Sequence, residues 1–312
     1  MRNMLRFTLS ILLQYEKVLN FRRYSKMSKR HDYCAIATII FLMITSIAGI
    51  CSLNFSHSYD FVNQYGQTVK MYGYGLYAFD TYFQAPVSIG TDICILFLLV
   101  PMFLYTYLNF YRKRDKISEL KLISVYATAF YYAASISFGL TYNKLFLVYV
   151  ALFSCSLFGM FRHIKNVKWD KTFTTAKGLT TFLILAGLSL IVAWLPDVIP
   201  TLLNGTTLSS IGVYTTAITY VLDMGIISPL CFVCLSLLKK RSPLGTLLLA
   251  ILLKLCLVVG IMMIPQTACQ LLSGCDLPLP ALITKSFSFV LLGGFAFYFN
   301  KKMYREFGSK KA

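Results

Sequence analysis

The chain has 312 residues, of which 57% are hydrophobic and 13% charged, and its mean hydropathy is +0.66. Soluble domains carry about one quarter charged residues, so this composition excludes an ordinary globule in water. A formal net charge of +18 would suit a nucleic-acid binder, but the basic residues sit in short stretches between apolar blocks, with no nucleic-acid-binding motif beside them, and that class is excluded as well.

Residues 1–33 form a basic N-terminal segment. Within 4–21, Arg6, Ser10, Gln14 and Lys17 make a polar stripe at helical spacing, which predicts an amphipathic helix lying in the membrane plane. The short apolar core, the missing small-residue cleavage site and the following "RRYSKMSKR" argue against a signal peptide. Eight apolar blocks follow, at 34–54, 87–109, 122–141, 145–161, 178–199, 211–238, 244–268 and 281–300. Each is near the roughly 20 residues that cross a bilayer core. The expected architecture is all-α, a bundle of about eight spans over 34–300, closed by a basic tail at 301–312.

The connections sort by charge. The N-terminal segment, the loops 110–121, 162–177 and 239–241, and the C-terminal tail hold 26 of the 30 Lys and Arg residues, whereas the alternate connections hold only Lys70 and Lys144. Such a bias sets both termini in the cytoplasm. The longest outer connection, 55–86, contains "MYGYGLYAFDTYFQAP", six aromatics around Asp80, and reads as an interfacial or re-entrant element. No internal repeat is visible. Asn54 and Asn204 head glycosylation acceptor triplets, relevant only in a eukaryotic host, and Cys269 and Cys275 share an outer loop where they could form a disulfide.

Soluble-type catalytic signatures are missing: no nucleophile elbow, P-loop, dinucleotide fingerprint or zincin pair occurs, and no cofactor or metal is implied. The three histidines, His31, His57 and His163, fall in or beside aqueous segments. What remains is a set of ionisable residues inside the apolar blocks, chiefly Asp92, Asp223 and Lys254. A charge at mid-bilayer costs roughly 2.5–3.5 kcal/mol on insertion scales, so such groups usually face a protein interior and serve function.

Asp223 lies 15 residues, and Lys254 10, from the cytoplasmic ends of adjacent blocks joined by "KKRSP". At about 1.5 Å per residue the depths differ by roughly 7 Å, within reach of a lysine, and an intramembrane ion pair is expected. Pro229 removes the hydrogen bond to the carbonyl of Gly225, which predicts a break in the helix beside Asp223. Asp92, in "APVSIGTDICILF", has Ser88, Gly90 and Thr91 around it. It could line an outer vestibule with Asp80 and Asn143.

The runs "YGLYAFDTYFQAPVSIGTDI", "YNKLFLVYVALFSCSLF" and "YVLDMGIISPL", with a later "LLK", resemble a group of bacterial multi-pass inner-membrane proteins of unknown activity, over residues 70–265. The resemblance implies a bacterial cytoplasmic membrane and no particular chemistry. Taken together, the sequence points to a protein that binds or transports a small solute or ion, with Asp223 and Lys254 at its centre and the lipid bilayer as its surroundings. One alternative is a non-transporting membrane subunit or sensor with a structural ion pair. Another is an intramembrane enzyme acting on lipid. Oligomeric state leaves no mark on the sequence.

Overall fold

The computed structural model describes residues 32–167, 172–173, 177–275 and 279–309. The polar stripe expected over 4–21 lies outside them. Helix α1 (Tyr33–Ile50) is capped at its start by Asp32, whose carboxylate accepts the amide hydrogen of Ala35. Strands β1 (Tyr59–Val62) and β2 (Thr68–Met71) follow, and then α2 (Gln84–Cys94) runs through a π-helical turn at Ile95–Leu99 into α3 (Val100–Lys113). Next come α4 (Lys116–Gly139), capped by Asp115, then α5 (Phe146–Asn166) and α6 (Lys177–Asn204). Helix α7 (Ile218–Leu222) passes through a second π turn, Asp223–Ile227, into α8 (Ser228–Lys239). Finally, α9 (Pro243–Ser273) ends on left-handed Gly274, and α10 is Leu279–Ser309.

Seven of these helical runs are long and apolar enough to cross a membrane, and α10 is an eighth long helix packed along α9. Outward faces carry Phe97, Leu147, Leu202 and Leu272, each more than 70% exposed. In water that surface would be a liability; against hydrocarbon it is the expected one. The protein is a helical, multi-pass membrane protein.

Both π turns have the same cause. Pro101 and Pro229 each stand two residues past the end of a π turn, lack an amide hydrogen, and in a regular helix would press on the carbonyl four residues back. Widening the helix by one residue relieves that clash. In each case the residue before the proline donates five residues back, Val100 to Ile95 and Ser228 to Asp223. The expected break at Gly225 and Pro229 is therefore corrected: the helix is widened there and continues.

Although the sequence shows no repeat, the packing does. Among the described residues, α1, α2–α3, α4 and α5 form a ring in which α1 touches α2, α3 and α5, while α4 touches α3 and α5. The second four runs repeat it. Here α6 touches the π turn, α8 and α10, while α9 touches α8 and α10. The halves meet along α4 and α9, with α2 against α9 in one direction and α7 against α4 in the other. In both halves the second member of the ring carries the acid, the π turn and the proline.

The 55–86 connection is not a re-entrant helix, which corrects the expectation. It is an antiparallel hairpin pairing Tyr59 with Met71 and Val62 with Thr68, followed by a short 3-10 turn at Gly75–Tyr77. Asn63 builds its turn, accepting the amide hydrogens of Tyr65 and Gln67, with left-handed Gly66 between them. The hairpin docks across to the α6–α7 connection through Asn63 to the Gly212 carbonyl (2.8 Å) and Gln67 to Thr207 (3.0 Å). Tyr72, Tyr77 and Tyr82 are buried beneath it with Ile89 and Cys269, so these aromatics form a core under the hairpin as well as a boundary. This hairpin end lies opposite the end that bears the basic loops.

Candidate functional site

Asp223 opens the second π turn and is 5% exposed. The Tyr131 hydroxyl donates to Oδ1 at 2.6 Å and the Trp194 indole N–H to Oδ2 at 3.0 Å. The indole is stacked on Tyr220 (centroids 4.1 Å apart), and Tyr220 in turn donates to Asp197 at 2.9 Å. Tyr220 lies one turn nearer the hairpin end, so the stack sits over the carboxylate on that side. On the other side Asp223 borders a cavity of about 430 Å³, partly open to the surroundings. Its walls are largely apolar, with Leu190, Ile227, Leu255 and Phe289 among them, and Ser189 and Tyr131 add hydroxyls.

Lys254 is not part of this site. Its ammonium lies 3.6 Å from the Met102 sulfur on α3, with Lys121 acting on it as a like charge, and it makes no ion pair with Asp223. The expected pair is thus corrected, and its failure is one of azimuth. The depths were compatible, but Asp223 faces α4 and α6, whereas Lys254 leaves α9 toward α3. A structural ion pair, the premise of the sensor alternative, goes with it.

Asp92 is 1% exposed and takes hydroxyl donors from Tyr132 (2.8 Å) and, by a very short bond, from Tyr77. A side chain on Gly49 would collide with its carboxylate, so α1 must present a glycine there. Tyr131 and Tyr132 are consecutive on α4, and each holds the acid of a different half. The two carboxylates are therefore set at nearly one depth by adjacent residues of one helix. Sequence inspection passed over both tyrosines because aromatics in a span are unremarkable without a partner to point at.

At the hairpin end Asp80 is fully buried. Its Oδ1 accepts the Thr141 amide hydrogen (3.0 Å) and the Tyr214 hydroxyl (2.9 Å). Burial pushes its carboxyl up to about 6 despite those donors. The expected vestibule of Asp80, Asp92 and Asn143 is partly assembled: the Tyr149 side chain lies beside Asn143 and within electrostatic reach of both acids. Asn143 itself shapes the turn into α5, accepting the Leu145 amide hydrogen at 3.0 Å.

The basic end holds a cluster that sequence reasoning missed. His163 bonds Glu119 through Nδ1 (3.0 Å) and Asp32 through Nε2 (2.8 Å); Tyr126 donates to Asp32 (2.9 Å) and Arg162 approaches it at 3.5 Å. With a carboxylate on each ring nitrogen, both nitrogens must donate, which makes His163 an imidazolium. Burial pushes the Asp32 carboxyl up, but His163, Tyr126 and Arg162 outweigh it and hold it below the usual value. A histidine at a helix end beside aqueous loops gave no hint of this, since its partners are 44 and 131 residues away.

Cys269 and Cys275 are free, and the expected disulfide is corrected too. Cys269 is buried among the tyrosines, while the Cys275 sulfur bonds Ser273 (2.9 Å) and the Tyr82 carbonyl (3.2 Å). Among the described residues, no three His, Cys, Asp or Glu side chains are grouped to hold a metal ion. No family model matches the chain, and no curated protein or solved structure matches it.

Proposed function

We propose that this chain is an eight-span protein of the bacterial cytoplasmic membrane, with both ends in the cytoplasm, and that it binds and moves a small solute or ion at Asp223. The observation that supports it is the cavity beside that carboxylate. A charge costing a few kcal/mol to place in the bilayer is held by two aromatic donors and borders space that a ligand could fill. A volume of about 430 Å³ falls in the range of small-molecule sites. Apolar walls around one carboxylate suit a solute with an apolar body and a cationic or hydrogen-bond-donating head, of the size of benzylammonium.

The test is equilibrium binding of radiolabelled benzylammonium to detergent-purified protein, compared with neutral benzyl alcohol. Benzylammonium is expected to bind more tightly, and Asp223→Asn to weaken it at least tenfold while the thermal midpoint stays within a few degrees. Equal affinity for the two probes, or no loss in Asp223→Asn, would remove the reading. Orientation is tested separately, in a variant without reactive native cysteines. Cysteines at His57 and Tyr65 are expected to react with an impermeant thiol reagent on intact cells, and cysteines at Lys116 and Lys240 are not. The reverse pattern would invert the topology.

A further inference from the structure

We propose that Asp80, Thr141 and Tyr149 bind a monovalent metal cation of the sodium type under the hairpin. Asp80 is fully buried and both of its donors go to one oxygen; the other, Oδ2, has no hydrogen-bond partner. Two more buried oxygens nearby are equally unsatisfied, Thr141 Oγ1 and the Tyr149 hydroxyl. Thr141 is held at Asp80 by its own amide, and Tyr149 lies within electrostatic reach of the same carboxylate. Three unpartnered oxygens in one buried region are not left so without something to bind, because each costs the desolvation of a polar group.

The chemistry of the set selects the occupant. All three ligands are hard oxygens, which prefer hard cations to soft ones. One carboxylate with neutral hydroxyls matches a single positive charge. No lysine, arginine or histidine among the described residues pairs with Asp80: the Lys70 ammonium is spent on the Tyr82 ring, 4.5 Å away. A water molecule would satisfy the hydroxyls yet leave the buried charge uncompensated. The other titratable groups facing the site are Tyr214, Tyr149 and Asp92, none of them a cation. This site is independent of the Asp223 reading, since it lies in the other half and uses none of the same residues.

The experiment is the thermal midpoint of the detergent-purified full chain at pH 8, in Na⁺, Li⁺, K⁺ or N-methyl-D-glucamine chloride at constant ionic strength. Na⁺ is expected to raise the midpoint above that in N-methyl-D-glucamine by roughly 2–4 °C at saturation, with the rise following log concentration above half-occupancy. Asp80→Asn should abolish the Na⁺ response. Should that variant fail to fold, Thr141→Val and Tyr149→Phe carry the test, each displacing the response to higher Na⁺. Asp223→Asn should keep the response, which separates this result from the fate of the solute site. Identical midpoints in Na⁺ and N-methyl-D-glucamine would overturn the proposal. So would stabilisation that comes only from acidifying through about pH 6 and ignores the cation, for then a proton on Asp80 is the occupant.

Discussion

Replacing His163 with alanine is expected to lower the unfolding free energy by about 3–5 kcal/mol, the usual loss when one partner leaves a buried charge set. Asp32, Glu119 and His163 are each at most 5% exposed. The imidazolium lies between two carboxylates, at 2.8 and 3.0 Å, and without it they would face each other across an apolar gap. Three helical runs lose their common tie, because Asp32 caps α1, Glu119 belongs to α4 and His163 to α5. Glu119→Gln on top of His163→Ala should recover part of the loss by removing one stranded charge. Thermal unfolding of the four variants as a double-mutant cycle measures this, and additivity within about 0.5 kcal/mol would show that the groups do not act together. The pH dependence has a definite sign. The Asp32 carboxyl titrates lower in the fold than in the unfolded chain, so its contribution is complete above the ordinary value near 3.8 and is lost as pH falls through the depressed one.

Two glycine-to-alanine changes should have opposite signs. A Cβ at Gly90 would be driven into the backbone of Pro265 and Gln266 on α9, where backbone cannot swing aside. The same approach brings the Gln266 amide to Thr91 Oγ1 at 2.7 Å, a bond that any separation of the helices would break. Gly90→Ala is expected to cost about 1–3 kcal/mol. At Gly225, inside the second π turn, a Cβ would meet nothing within 4 Å and the backbone is helical. Gly225→Ala should therefore stabilise by about 0.4–1 kcal/mol, by restricting the unfolded chain. Chemical denaturation in mixed micelles reads both. Destabilisation at Gly225 would mean that the π turn needs glycine after all.

The helices were legible because their physics is one-dimensional: a run of apolar residues of membrane length declares itself whatever its neighbours are. The carboxylates were legible for the same reason, as exceptions within those runs. Partners were not, because a contact depends on which way each helix is turned, and blocks that are apolar all round give no azimuth. Hence Asp223 was found and its ties to Tyr131 and Trp194 were missed, while Lys254 was assigned a partner on depth alone. The hairpin escaped because β1 is exposed along its whole length, so it shows no alternation; the turn signal of Asn63 with Gly66 was the readable clue.

The twofold plan of the helices carries a consequence for movement across the membrane. Four runs per unit bring the chain back to the end where it started, so the second unit is laid down in the same sense as the first. The axis relating them stands upright in the bilayer, and exchanging the shapes of the two units would leave the inside and outside of the molecule as they were. Inverted units can swap conformations and thereby swap which side is open; upright ones cannot. Passage of a solute here calls for the units to tilt against each other about the seam of α4 and α9. Tyr131 and Tyr132 sit at that pivot, each gripping the acid of a different unit, so a tilt that loosens one grip bears directly on the other.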